Sequence, residues 1–256
     1  MIVDTHTHLD HRMFYEDLDD VIKRAKEKGV ERFVIPGADP KDLPRAVELS
    51  EKYDGVYFAA GVHPYDIDSY DRSYLESYLS HPKCVAVGEC GLDYYRLPKD
   101  EVEKERIKKR QKEVFADQID LAKEYDKPLI VHIREASADA YELLKTHAGK
   151  RGGVLHCYNA SPLLLDLQEN FYYGIGGVLT FKNAKKLVEI VPKIPLHRIV
   201  LETDAPYLTP HPFRGKRNEP AYTVHIAQKL AELLKKEYDE ICDITTKNAK
   251  ELFGIE

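Results

Sequence analysis

The chain has 256 residues, and the 43% that are hydrophobic suffice for the core of one barrel-sized domain or two small ones. Its formal net charge of −6 gives no general attraction to nucleic acid, so an anionic substrate would need a local basic patch. No apolar run approaches the roughly 20 residues of a membrane span, and the segment before Asp4 is too short and polar for a signal peptide. The four cysteines include no Cys-x-x-Cys pair, which excludes a disulfide framework and a zinc finger. We therefore expect a cytoplasmic protein with reduced thiols.

Apolar runs alternate with amphipathic segments along the whole chain. In chain order, strands are predicted at residues 2–8, 31–35, 56–62, 85–88, 128–133, 153–156, 172–177 and 198–202. Helices are predicted at residues 18–28, 40–53, 74–79, 101–125, 136–147, 162–169, 182–191, 220–238 and 239–253. Every predicted strand is followed by at least one helix, and that order indicates a parallel sheet.

Eight such units in a chain of 256 residues predict an α/β fold of the (β/α)8 TIM-barrel type, with residues 1–256 forming one domain. The alternative is an open doubly wound sheet, which usually has a glycine-rich turn after its first strand. Here that turn reads His-Thr-His-Leu-Asp and contains no glycine. The first turn therefore favours the barrel.

Candidate metal ligands stand at the ends of the predicted strands. Because alternate side chains of a strand point the same way, His6 and His8 present two imidazoles side by side. Other strands end in, or are followed by, His63, Glu89, His132, His156 and Asp204. Any one of these residues could be an ordinary hydrogen-bonded barrel residue. In a (β/α)8 barrel the carboxyl ends of the strands meet at one face, so the set as a whole predicts a metal site there.

Several motifs together resemble the TatD family of metal-dependent deoxyribonucleases, and the resemblance covers essentially the whole chain. They are Asp4-x-His6-x-His8-Leu9-Asp10, Gly61-Val62-His63-Pro64, Gly88-Glu89-Cys90-Gly91-Leu92-Asp93-Tyr94-Tyr95, Leu129-x-x-His132-x-Arg134, His156-Cys157-Tyr158 and Leu201-Glu202-Thr203-Asp204-Ala205-Pro206. The His-x-His start is shared with the wider amidohydrolase superfamily. The resemblance implies a (β/α)8 barrel with two divalent metals.

By position, the resemblance assigns the first metal to His6, His8 and Asp204, and the second metal to His132 and His156. Glu89 would bridge the two ions, a role that phosphotriesterases give to a carboxylated lysine. No lysine stands at that strand end, which favours the TatD family over those relatives.

The mixed shell of imidazoles and carboxylates accepts Zn, Mn, Co or Ni, and Mg less readily. Two ions roughly 3.5–4 Å apart can clamp the attacking and leaving oxygens of a phosphodiester.

The expected catalytic residues are Glu89, as the bridge, and Asp204, which would orient the attacking water and accept its proton. We expect Glu202, Asp4 and Asp10 to support the ligands or to line the floor of the site. His63 is expected to contact the scissile phosphate, although it could also be a loop histidine stacked on Pro64.

The loops after the strands supply the residues expected to bind substrate. Guanidinium groups bind phosphates, so Arg96, Arg134 and Arg214 are candidates. Lys216 and Arg217 lie close by and are equally well explained as surface charge. Tyr94 and Tyr95 are expected to stack on unpaired bases. Tyr65, Tyr158 and Tyr207 occupy the same set of loops.

The leading hypothesis is a metal-dependent nuclease that acts on single-stranded DNA from the 3′ end, with RNA as a further substrate. We expect it to be a monomer that does not bind membranes. The second hypothesis is an amidohydrolase that acts on a small amide, lactone or ester. The third is a metal-binding scaffold without catalysis, which an intact set of six ligands disfavours.

Overall fold

The computed structural model describes residues 1–256. The eight strands are β1 (Ile2–Asp4), β2 (Val30–Ile35), β3 (Val56–Ala60), β4 (Cys84–Asp93), β5 (Leu129–Arg134), β6 (Gly153–Leu155), β7 (Phe171–Ile175) and β8 (Ile199–Leu201). The eight α-helices are α1 (Leu18–Glu27), α2 (Leu43–Lys52), α3 (Arg72–Leu79), α4 (Glu101–Glu124), α5 (Ser137–His147), α6 (Lys185–Ile190), α7 (Thr223–Leu234) and α8 (Tyr238–Phe253).

All eight strands form one sheet, in the order of the chain, and every neighbouring pair is parallel. The two ends of the sheet meet at the segments that follow β1 and β8. There the backbone N–H of Thr5 donates to the carbonyl of Leu201 at 3.0 Å, and that of His8 donates to the carbonyl of Ala205 at 2.8 Å. The predicted (β/α)8 barrel is confirmed.

The floor of the barrel is apolar, and each strand contributes to it. One buried cluster contains Val3, Val34, Ala59, Ala86, Ile130, Val154, Tyr172 and Val200 together with residues from the end of α8 and the segment after it. Because strand side chains alternate, residues two positions further on face the same interior one layer higher. On β5, and directly after β6 and β8, these residues are His132, His156 and Glu202. A packed floor therefore lies beneath the candidate site.

The predicted helix at residues 162–169 is wrong, because Pro162–Leu167 forms a 3-10 helix instead. Its buried residues, Leu164 and Leu167, are three positions apart, which matches the three residues per turn of a 3-10 helix. The predicted helix at 220–238 stops at Leu234, because Lys235 adopts a left-handed conformation with φ of +53°.

The predicted strand at 85–88 is too short. Strand β4 continues through Glu89 to Asp93, since Cys90 and the residues after it keep pairing with β5. No helix in the structure is both long enough and apolar enough to cross a bilayer.

Candidate metal centre

Four imidazoles converge on the carboxylate of Glu89, which β4 carries into the barrel mouth. Glu89 Oε2 lies 3.3 Å from His6 Nε2. Glu89 Oε1 lies 3.1 Å from His132 Nδ1, 3.7 Å from His63 Nε2 and 3.9 Å from His156 Nε2. The two oxygens of one buried carboxylate therefore face two different groups of histidines.

A second carboxylate, that of Asp204, lies against the histidines of the first strand end. Its Oδ1 is 3.3 Å from His8 Nε2 and 3.7 Å from His6 Nε2. Asp204 adopts a left-handed backbone conformation with φ of +58°, which aspartate tolerates better than most residues. Its backbone N–H donates to the carbonyl of His6 at 2.9 Å, which holds the turn after β8 against the segment after β1.

Two further carboxylates lie beside the ring nitrogens of His132 and His156 that face away from Glu89. His132 Nε2 contacts Asp93 Oδ2 at 2.9 Å, so its Nδ1 is left to face Glu89. His156 Nδ1 lies 3.1 Å from Glu202 Oε1, so its Nε2 is left to face Glu89. Histidine ligands of metals are commonly oriented by a carboxylate in this way.

Gly174 of β7 makes room for Glu202. A Cβ built on Gly174 would lie 2.2 Å from Glu202 Oε2, so a side chain there would displace the carboxylate. Glu202 Oε1 also accepts a hydrogen bond from the backbone N–H of Cys157 at 2.6 Å. These contacts agree with the support role expected for Glu202.

Asp4 supports the site through the backbone. Its Oδ1 accepts from the N–H of Thr203 at 2.9 Å, and its Oδ2 accepts from the Thr203 hydroxyl at 2.6 Å. Asp4 thereby joins the segment that carries His6 to the segment that carries Asp204. Asp10 is buried beside His8, and burial raises the pKa of its carboxyl to about 6.

The environment keeps Glu89 ionised. Burial alone would raise its pKa, but the imidazoles of His6, His132 and His63 outweigh burial and hold that pKa well below the usual range. Burial would likewise raise the pKa of Asp204, and the neighbouring histidines, His8 first, lower it instead. The centre therefore contains one buried anion, Glu89, and one partly buried anion, Asp204.

The residues present fit a divalent cation. His6 is 1% exposed, yet neither of its ring nitrogens makes a hydrogen bond of acceptable geometry, and Glu202 Oε2 is also without a partner. Buried polar atoms without partners are costly, so these atoms need a ligand that protein groups do not supply. Imidazole nitrogens and carboxylate oxygens are the donors that Zn and similar divalent ions prefer.

Three groups of side chains bring their donor atoms within 4.8 Å of one another: His6, His8 and Glu89; His63, Glu89 and His132; and His6, His156 and Glu202. Glu89 belongs to the first two groups. The structure thus brings all six residues expected as metal ligands to one mouth of the barrel. It also places His63 within the second group, closer to Glu89 than its expected role as a phosphate contact required.

The hydrogen bonds of His63 favour that role over metal ligation. The backbone N–H of Tyr65 donates to His63 Nδ1 at 3.1 Å, so Nδ1 is the unprotonated nitrogen. Burial lowers the pKa of His63 to about 4, which keeps the ring neutral near pH 7. The proton of the neutral ring then lies on Nε2, and this N–H points into the centre as a donor.

Two buried glutamines of α4 hold the ends of neighbouring strands, and neither residue is apparent as functional from the sequence. Gln118 accepts from the N–H of Val62 at 2.7 Å and donates to the carbonyl of Val62 at 3.1 Å. Gln111 forms the same pair of bonds with Asp93, at 2.9 and 3.0 Å. Residues seven apart lie on one face of a helix. One helix therefore fixes both the segment before His63 and the residue that orients His132.

Replacing Gln118 with Met should destabilise the fold, because the N–H and carbonyl of Val62 would be buried without partners. We expect the free energy of unfolding to fall by about 2–6 kcal/mol, at roughly 1–3 kcal/mol for each of the two unsatisfied groups. Denaturant titration measures this loss. The matched control is Gln228→Met on an exposed face of α7, expected to cost less than about 0.5 kcal/mol. Equal costs for the two variants would contradict the assigned role of Gln118.

Two arginine–tyrosine pairs lie at the rim of the mouth. The Arg134 guanidinium lies 3.6 Å from the centre of the Tyr95 ring, and that of Arg96 lies 5.3 Å from the centre of the Tyr65 ring. Both tyrosines remain exposed, at 53% and 43%. The Tyr65 ring also contacts the His63 ring edge to face, with centroids 4.8 Å apart. These pairs are available to a ligand that enters the mouth.

Other expected substrate contacts are engaged elsewhere in the fold. The Tyr94 hydroxyl donates to Asp139 at 2.7 Å, and burial raises the pKa of Tyr94. Arg214 donates to the carbonyl of Thr209 at 2.8 Å and lies over the Phe181 ring. Arg217 binds Asp17 through two bonds of 2.8 and 2.6 Å. These residues were expected to contact substrate because they follow strands in the sequence. That position does not show that their side chains point towards neighbouring elements.

Known proteins of similar sequence and structure identify the family of this chain. The profile described as TatD related DNase matches residues 3–254. The chain is 45% identical to the uncharacterized metal-dependent hydrolase YabD of Bacillus subtilis, with all of both chains covered. It is 33% identical to the 3′-5′ ssDNA/RNA exonuclease TatD of Shigella flexneri, with 98% of each covered. The crystal structure of YjjV, a TatD homologue from Escherichia coli, superposes with a TM-score of 0.89 at 31% identity, covering 100% of this chain and 98% of that one. The chain is therefore a metal-dependent hydrolase that belongs to the TatD related DNase family.

Proposed function

We propose that the protein is a phosphodiester hydrolase that holds two divalent cations and removes nucleotides from the 3′ end of single-stranded DNA, with RNA as a further substrate. The observation that carries the proposal is the position of Glu89, whose two carboxylate oxygens face different sets of histidines. One ion would be held by His6, His8 and Asp204, and the other by His132 and His156, with Glu89 shared. When bound, such ions neutralise charge on the phosphate and make water nucleophilic near neutral pH.

The residues around the ions then have distinct tasks. Asp204 approaches His6 and His8 through Oδ1, so its Oδ2 can orient the attacking water and take its proton. His63 donates from Nε2 to a non-bridging oxygen of the phosphate, which stabilises the charge that develops there. Asp93 and Glu202 hold His132 and His156 in the orientations that leave one nitrogen of each free for a cation.

The shape and rim of the site support a strand end as the substrate. A cup closed below by apolar packing admits a chain end more readily than the middle of a duplex. Arg134 and Arg96 can contact phosphates, and the exposed rings of Tyr95 and Tyr65 can stack on unpaired bases. Tyr95 replaces Tyr94 as the preferred stacking residue, because the Tyr94 hydroxyl is bound to Asp139. The printed name of the Shigella flexneri relative supports the same polarity.

A nuclease assay with a panel of metals tests this proposal. The protein is purified without chelator and incubated with 3′-labelled single strands in the presence of Zn, Mn, Co, Ni or Mg. We expect release of labelled nucleotide with at least one of these metals and none with a chelator. Turnover of a small ester, lactone or amide, with no strand cut under any metal, would instead support the amidohydrolase alternative.

Strand binding should depend on salt only moderately. The chain carries a net charge of −6, and few cations reach the rim. Each phosphate neutralised on a single strand contributes about −0.7 to the slope of log K against log salt. Anisotropy titrations of an uncleavable labelled strand should give a slope of about −2 to −3, which corresponds to about three to four contacts. A slope beyond about −6 would require a long basic track and would contradict entry of a chain end alone.

A further inference from the structure

A cleft of about 800 Å³ opens from one side of the metal centre. Its inner wall includes His132, His156 and Asp204, so it is continuous with the site described above. Its outer wall comes from the segment after β7 and from α6, which contribute no residue to the metal centre. The volume lies within the roughly 300–1,000 Å³ typical of sites for small ligands.

The far wall of this cleft is apolar. Val178, Ala184 and Leu187 line it, and Leu208 adds to it from the loop after β8. Ala184 and Leu187 are buried, so the wall is part of the packed fold and keeps its shape without a ligand. An apolar surface beside a charged centre suits a ligand with a flat uncharged part.

The rim of the same cleft is cationic. Lys185 and Lys186 are exposed at the start of α6, and neither forms an ion pair with an acidic side chain. Most lysines of α4, by contrast, lie beside a glutamate or aspartate. Arg134 lines the cleft and also lies over Tyr95, so it connects the cleft to the rim of the mouth. Unpaired cations around an apolar wall match the chemistry of a nucleotide, which has a flat base and an anionic backbone.

We propose that this cleft binds the terminal nucleoside of the strand, with the base against Val178 and Leu187 and the adjoining backbone phosphate facing Lys185 and Lys186. The proposal rests on the proposed function, since it names how the same site holds its substrate. Apolar side chains contact any base equally well, so the cleft should bind all four bases with similar affinity.

Two variants test the cleft without changing the metal centre. Val178→Trp fills the apolar end, and the double variant Lys185→Glu with Lys186→Glu reverses the charge of the rim. The matched control is Lys193→Glu with Lys247→Glu, at two exposed lysines outside the cleft. Each metal-loaded protein is titrated with a labelled single strand of phosphorothioate linkages, and its turnover of bis(p-nitrophenyl) phosphate is measured separately.

We expect both cleft variants to weaken strand binding about tenfold or more. The lysine variant should also flatten the salt slope by about 0.7, the contribution of the one phosphate that the two lysines face. Turnover of the small diester should stay within about twofold of wild type, because that substrate needs only the centre. Unchanged strand binding in both variants, or equal losses on strand and small diester, would overturn the cleft assignment. If the wild-type protein cleaves neither substrate with any metal, the proposed function itself fails, and that outcome is distinct from failure of the cleft.

Discussion

Glu89→Gln should lower turnover of a single-stranded substrate by about a hundredfold or more. Losses of this size follow the removal of a principal group that stabilises charge in the transition state. The substitution keeps the shape of the side chain and removes its charge. Glu89 is the carboxylate that four imidazoles face. An amide at this position offers no anionic oxygen to a cation at either group of histidines. Steady-state kinetics with the preferred metal measure the effect, and thermal unfolding checks that the fold is retained.

The matched control for this variant is Glu51→Gln. Glu51 also lies beside a histidine, with 3.3 Å between its Oε1 and His81 Nε2, but its side chain is 64% exposed. Exposed ion pairs contribute little, so we expect this control to keep wild-type turnover. Turnover of Glu89→Gln within a few-fold of wild type would show that Glu89 does not bridge the metals.

A linear single strand should be digested, whereas the same strand closed into a circle should be strongly protected. The barrel is closed below by apolar residues from every strand and by the end of α8, so the mouth is a cup. A chain end can enter a cup and reach the ions, but a circle presents no end. Phosphorothioate linkages at the 3′ terminus should protect the linear strand as well, since the proposed direction begins there.

Duplex ends provide a graded comparison. A blunt duplex should be digested more slowly than the single strand, because opening a terminal pair costs about 1–2 kcal/mol, near the stacking energy per step. Reopening the circle at one site should restore digestion. The reopened strand has the same sequence as the circle and therefore controls for an effect of sequence. Rapid cutting of the intact circle would make the protein an endonuclease and would refute entry of a chain end.

The convergence of the candidate metal ligands was predictable from sequence because each of them ends or closely follows a predicted strand. A parallel barrel brings every strand end to one face, and the residues that directly follow β1 and β8 lie there as well. His6, Glu89, His132 and Asp204 therefore converge although they are separated by up to 198 residues, from 6 to 204. The backbone topology alone accounts for their convergence.

The supporting residues were not predictable in the same way. Gln111 and Gln118 lie in a helix rich in charged residues, where a glutamine ordinarily faces solvent, and their buried bonds to Asp93 and Val62 depend on how α4 packs against the barrel. Tyr94 and Tyr95 are adjacent in sequence, but one bonds to α5 and the other remains exposed. Such differences arise from tertiary packing, which a local pattern does not encode.

The most direct test of the account is the number of metal ions held around Glu89. Crystals of protein purified without chelator, and soaked with Zn or Mn, are measured at the absorption edge of that metal. The account predicts two anomalous peaks per chain, one on each side of the Glu89 carboxylate, with the first near His6 and His8 and the second near His132. A single peak per chain under metal excess, or peaks away from Glu89, would contradict the two-metal centre.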